Sequence, residues 1–167
     1  MSQKAVFDCM VFLQGAMRAT GPAADCFRLI DVGIVDLCLS SEVLVEIREV
    51  LARPTLQKQH KSLSPEKVER FMAEVVAKAS LIESVPPVFS YARDPKDEKY
   101  VNLAVAASAQ YLVSRDKDLL ELMDQDFPDA VDFRKRFPGI TVVDPVAFLR
   151  HFSQAKASSE SPRPTPE

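Results

Sequence analysis

Five acids of this chain stand where one structural element would end and the next begin. Asp8 closes the apolar run Ala5-Val6-Phe7, Asp94 and Asp97 belong to Asp-Pro-Lys-Asp ahead of a helical pattern, and Asp116 and Asp118 follow the run Tyr111-Leu112-Val113. A sixth, Glu46, lies inside a helical pattern that starts at Ser40 or Ser41 and runs to about Arg53. At 100° per residue, Val43, Leu44, Ile47, Val50 and Leu51 fill one arc of that helix, and Glu46 lies about 40° from Val50 at its edge. Glu42 and Glu49 point further towards solvent, so Glu46 is the acid of this helix held against the protein body. Carboxylates gathered at one rim repel and raise one another's pKa, and a divalent cation relieves that repulsion. Mg²⁺ or Mn²⁺ is the expected ion, because both prefer oxygen ligands. His60, in an expected loop, and His151, near the tail, read as solvated rather than as ligands. Each acid also has a local explanation: Asp8 as a turn residue, Glu46 as a boundary glutamate turned to water, Asp94 as a helix N-cap, Asp97 as an acid favoured by the helix dipole, and one of Asp116 and Asp118 as a cap.

The elements that would position these acids alternate short apolar runs with helical patterns, which predicts an α/β fold with a parallel sheet. Strands are expected at 5–7, 35–39, 81–82, 111–113 and 140–143. A short helical stretch follows Asp8, and Pro22 opens a helix carrying Ala24, Phe27, Leu29 and Ile30. Pro54 stops the Glu46 helix. Ser64-Pro65 caps a helix with Val68, Phe71, Met72, Val75, Val76 and Ala79 three and four apart. The body from Tyr100 to Ala109 is apolar nearly all round and so is buried on several sides. Lys117 to Met123 is a short helix. The stretch from Asp124 to Gly139 reads as a solvated loop or, through Arg134, Lys135 and Arg136, as a contact to RNA or a partner. Asp144-Pro145 opens a last helix with Val146, Phe148, Leu149 and Phe152 facing inward. Residues 153–167, without a large apolar side chain and with three of the twelve prolines, read as a disordered tail, which leaves a single domain over 1–152.

Composition narrows the class. The chain has 167 residues, 47% hydrophobic and 27% charged, enough for one packed core. Three separated cysteines, Cys9, Cys26 and Cys38, form no CxxC pair, which argues against a zinc site or disulfide framework and predicts a reducing, cytoplasmic location. No apolar run approaches the roughly 20 residues a membrane span needs. The net charge of −3 excludes a strongly basic nucleic-acid coat. Setting aside Asp8, Glu46, Asp97 and Asp116 turns it into +1, so the rest of the molecule is near neutral.

Four stretches, AVFDCMVFL, LSSEVLVEIREVLARP, RDPKDEKYVNLAVAASAQYLVSRDKDLLEL and ITVVDPVAFL, together resemble the PIN-domain family, and most closely the bacterial PIN toxins of toxin–antitoxin pairs. The resemblance covers the chain from Lys4 to about His151. The third stretch is the most specific, combining acid spacing, a small-residue helix, a strand and a Ser-Arg-Asp turn. It implies a three-layer α/β/α sandwich around a five-stranded parallel sheet, and a metal-dependent endoribonuclease. Carried over residue by residue, the catalytic and metal-holding acids are Asp8, Glu46, Asp97 and Asp116, with Asp94, Ser114 and Asp118 as neighbouring support. The implied partners are RNA, an antitoxin protein and a second copy of the chain; for the last, the apolar surface of Val68, Phe71, Met72, Val75 and Val76 is the feature in view. Candidate backbone contacts to RNA are Arg48, Arg53, Lys58, Lys61, Arg115 and Lys117.

One departure stands out. Where the family has a hydroxyl residue and then an asparagine after the first acid, this chain has Cys9 and Met10. A binding or scaffold PIN domain with weakened catalysis is therefore the alternative to an active nuclease. A receiver-like or small-ligand module fits less well, because Glu46 lies on a helix and the four glycines form no phosphate loop.

Overall fold

The computed structural model describes residues 2–159, with side chains described as far as Ser153. Five strands, β1 (Gln3–Phe7), β2 (Val35–Leu39), β3 (Ser80–Leu81), β4 (Tyr111–Val113) and β5 (Thr141–Val143), form one sheet in the order β3-β2-β1-β4-β5. Every pairing is parallel, so each return connection must cross a face of the sheet. Both faces are covered, giving the α/β/α sandwich. Ala5, Val6 and Phe7 are accordingly all fully buried, although alternate residues of a strand point to opposite faces.

One layer is built around Phe7. Its ring meets Phe12 of α1 (Cys9–Met17), Phe27 of α2 (Pro22–Asp31) and Phe148 of α9 (Pro145–Ser159) edge-on, with centroids 6.5, 5.3 and 5.9 Å away. Such pairs add about 0.5–1.5 kcal/mol each beyond area burial. Gly15 lets α1 approach α2: a Cβ there would lie 2.7 Å from Phe27 Cδ2 and closer still to Cε2. The opposite layer contains α6 (Glu98–Ala106), which packs on β1, β2 and β4 and buries Tyr100 through Ala104.

Ser40, not Ser41, caps α3 (Ser41–Leu51), its hydroxyl accepting from Val43 N at 3.2 Å. Pro54 both ends that helix and supplies the first residue of α4 (Pro54–Gln59), a helix the sequence reading lacked. In α5 (Pro65–Lys78), Val68, Met72 and Val75 are buried, Phe71 packs on Phe27, and Val76 remains exposed. The chain itself thus covers most of the apolar face considered above for a second copy.

Three expectations need correction. The stretch from Asp124 to Gly139 contains α8 (Pro128–Arg136), following α7 (Lys117–Leu120). Its apolar face is only Ala130 and Phe133, too short to register as a period, yet Phe133 packs against Phe89 and Phe137. Arg134 donates to the carbonyls of Leu122 and Gln125, and Arg136 to that of Val88, so these cations brace the fold. Val146 is exposed rather than inward, because the capping turn at Asp144 starts α9 with that residue facing water. Finally, α9 continues through Ser159, past the expected boundary at 152, since no proline interrupts the chain before Pro162. The rest of the expected tail, 160–167, lies outside the described residues.

Candidate active site

The chain runs outward from β1 to β2 to β3, then returns to lay β4 on the other side of β1. The strand order reverses between β1 and β4, and the crevice beyond their carboxyl ends is where such sheets bind ligands. Phe7 pairs with Val113, so Asp8 and Ser114 leave the sheet side by side at that crevice.

Asp8 is almost completely buried at the N-terminus of α1. Its carboxylate accepts from Val11 N at 3.1 Å and from the Ser114 hydroxyl. Burial pushes its pKa up to about 6, with the two hydrogen bonds opposing the rise and Asp116 adding to it. Ser114, fully buried, also accepts from Asp116 N at 2.9 Å, so one hydroxyl couples the two strand-end acids. Asp116 in turn caps α7, accepting from Asp118 N at 2.8 Å.

The third side comes from the segment ahead of α6. Asn102 on that helix accepts from Val88 N and Phe89 N at 3.1 and 2.9 Å, and the Tyr91 hydroxyl donates to Asp118 O at 2.6 Å. These bonds fix the loop that delivers Asp94 and Asp97. Asp94 caps the 3-10 turn Pro95–Asp97, accepting from Lys96 N at 3.2 Å. Asp97 caps nothing: its Oδ2 is buried without a hydrogen-bond partner, and the residue is 8% exposed. Carboxylate oxygens of Asp94, Asp97 and Asp116 lie within 4.8 Å of one another. Burial, then Asp116 and Asp94, push the Asp97 pKa up to about 8. Asp118 is raised as well, by desolvation and then by Asp116 and Asp94.

Such a cluster can hold a divalent cation. The unpartnered buried oxygen of Asp97 marks the demand for positive charge, and a set of oxygen donors suits a hard ion. Asp94, expected as support, is itself one of the three mutually close acids. Asp8 joins them through Ser114. Glu46 stands apart from that trio: its carboxylate pairs with Lys99 and accepts from the Tyr100 hydroxyl at 2.9 Å. Neither partner was identified from the sequence, although Lys99 and Tyr100 directly follow the Asp97-Glu98 pair.

Residues 4–118 match the sequence profile of the PIN domain family. The chain belongs to the PIN-domain family. No curated protein and no solved structure matches it significantly. PIN domains are generally nucleases, and the acid cluster at the sheet's switch point lies inside the matched residues, whereas α8, β5 and α9 lie beyond them.

In this PIN domain, Met10 neither braces the acids nor packs in the core. It is 40% exposed and lines an open cleft beside the site. Cys9 is half-buried, and burial, then the Asp8 charge, raises its thiol pKa. Of the cations proposed to meet RNA, Arg48 pairs with Glu69 and Lys117 with Glu121, while Arg115 reaches into that cleft. No described helix is long and apolar enough to cross a membrane.

Proposed function

We propose that this PIN domain is a divalent-metal-dependent endoribonuclease. The observation that carries the reading is the buried, unpartnered Asp97 oxygen within a trio of mutually close carboxylates at the strand ends. Asp94, Asp97 and Asp116 would hold Mg²⁺ or Mn²⁺, with Asp8 held ready beside them by Ser114. Glu46 is available to a cation only in competition with Lys99. When bound, the cation would lower the pKa of a coordinated water below that of bulk water and offset charge on the leaving oxygen.

The chain's own residues prepare that chemistry. Ser114 orients Asp8 and, through Asp116 N, the turn that presents Asp116. Asp8 and Asp97 retain protons to higher pH than free carboxylates, so cation uptake displaces protons from them. No nucleophilic side chain is required, since hydrolysis by water leaves the enzyme unmodified.

The resemblance to PIN toxins extends the proposal to a toxin held in check by an antitoxin protein in the cytoplasm, and to pairing with a second copy. The loss of the asparagine at Met10 and the Lys99–Glu46 pair favour a second reading, a PIN-like binding domain with weakened catalysis. Cleavage of RNA in Mg²⁺ or Mn²⁺, with EDTA and Asp8→Asn as controls, decides between them. Metal-dependent cleavage lost in Asp8→Asn supports the enzyme, and its absence in the wild type at saturating metal removes it. Growth arrest on expression, relieved by the adjacent reading frame, tests the toxin role.

A further inference from the structure

We infer that the cleft beside the acids, formed by α1, the start of α2 and α4, seats an unpaired RNA nucleotide next to the scissile phosphate; this deepens the ribonuclease reading and rests on it. The cleft encloses about 440 Å³, within the size range of small-molecule sites. Its floor is apolar, from Met10, Leu13, Met17 and Leu56. Among the described residues its charged lining is Arg18 and Arg115, joined by His60, with no carboxylate. That sign is opposite to the chain's net charge of −3 and to the acid cluster a few residues away. A ligand matching this wall is flat, largely apolar and attached to an anion, as a base on its phosphate is.

Continuity with the acids supplies the register. Met10 lies two residues past Asp8, and Arg115 stands between Ser114 and Asp116, so the same two segments that carry Asp8 and Asp116 also supply lining to the cleft. Arg115 donates to Gln14 Oε1 at 2.7 Å. That bond holds the guanidinium over the cleft, where it can stack on a base or meet a phosphate. It also turns the Gln14 amide nitrogen, a double donor, into the end left to read a base edge. A duplex would hide that edge and the base face, so the cleft selects single strands.

The test uses the full-length chain and a fluorescein-labelled, unstructured RNA oligonucleotide. Binding is read by anisotropy in EDTA, and cleavage of the same RNA is read with Mn²⁺, for wild type, Arg18→Ala, Leu56→Asp and Met10→Ala. Leu56→Asp is expected to raise both Kd and KM about tenfold with kcat within about twofold, because it replaces an apolar contact by a charge that repels the phosphate. Arg18→Ala should reduce the salt slope of binding by about 0.7, the value for one phosphate contact on a single strand. Because Met10 is 40% exposed, Met10→Ala keeps the core and still reports on the floor if Leu56→Asp fails to fold. Unchanged Kd, KM and salt slope in folded Arg18→Ala and Met10→Ala would overturn the inference, with cleavage by those variants leaving the nuclease reading intact and the cleft to a protein partner. RNA binding weakened by the variants, without cleavage under any metal, would instead sink the nuclease reading and keep the cleft as an RNA seat.

Discussion

Replacing Asp97 by asparagine removes one charge from the carboxylate trio while keeping the size of the side chain. In the metal-free protein that change should stabilise the fold. The Asp97 pKa is about 8 when folded, against 3.8 for the free side chain. At pH 7 the unfolded carboxylate is ionised and the folded one is not, a gap of about three pKa units, or about 4 kcal/mol at 1.36 kcal/mol each. Asp94 and Asp116 are only half-buried, and water at that rim screens part of the repulsion, so a gain of about 2 kcal/mol is the working figure. For a domain of this size that is a rise in Tm of about 4–8 °C. The gain depends on pH with a definite sign. Below about pH 4 both states of the wild type carry the proton and the two proteins match. The difference grows as the unfolded carboxylate ionises and levels off above about pH 8, where the folded one ionises too. Thermal melts in EDTA across this range read the difference directly. Adding Mn²⁺ should close or invert it, because the wild type gains more binding energy than a protein with one ligand fewer. An Asp97→Asn protein that melts well below wild type at pH 8 in EDTA would refute the reasoning and make Asp97 a structural acid at the start of α6.

Ser114→Ala breaks two buried hydrogen bonds and should cost about 1–3 kcal/mol by thermal melt; with Asp8 and Asp116 uncoupled, cleavage should fall about 10–100-fold. Lys99→Met releases Glu46 and is expected to tighten Mn²⁺ binding about fivefold, matching the roughly 1 kcal/mol of Coulomb competition at a partly solvated pair; unchanged affinity by calorimetry would confine Glu46 to its contacts with Lys99 and Tyr100. Gly15→Ala should destabilise despite the helix propensity it gains, about 1 kcal/mol, because the Phe27 ring it strikes is held by Phe7, Phe12 and Phe71; an unchanged or higher Tm would show that the ring can move.

Much of the architecture is legible in the sequence because the signals are local. Apolar runs of strand length separated by capped helical periods predict a parallel sheet, and Ser40, Asp94 and Asp116 act as the caps their positions imply. Helical periodicity alone sets Glu46 against the body, and it is half-buried while Glu42 and Glu49 are exposed. Where the signal is weak the reading misses: α8 has two buried residues, and Pro54 marks the end of one helix and the beginning of another with the same atom set.

The site divides along the same line. That acids lie at the ends of β1 and β4 and before α6 is a property of the chain, since spacing along the backbone fixes it. Which of those acids face one another is not, because it depends on strand order. Only the placement of β4 beside β1 sets Ser114 against Asp8, and only the loop pinned by Asn102 and Tyr91 brings Asp94 and Asp97 to Asp116. Glu46 could equally have joined that trio on sequence grounds. Its engagement with Lys99 and Tyr100, residues more than fifty positions away, is a contact between α3 and α6 that no local pattern encodes. Coulomb energy and desolvation act through space, so the identity of the acids belongs to the sequence, while their pKa values and their demand for a cation arise only when the sheet is assembled.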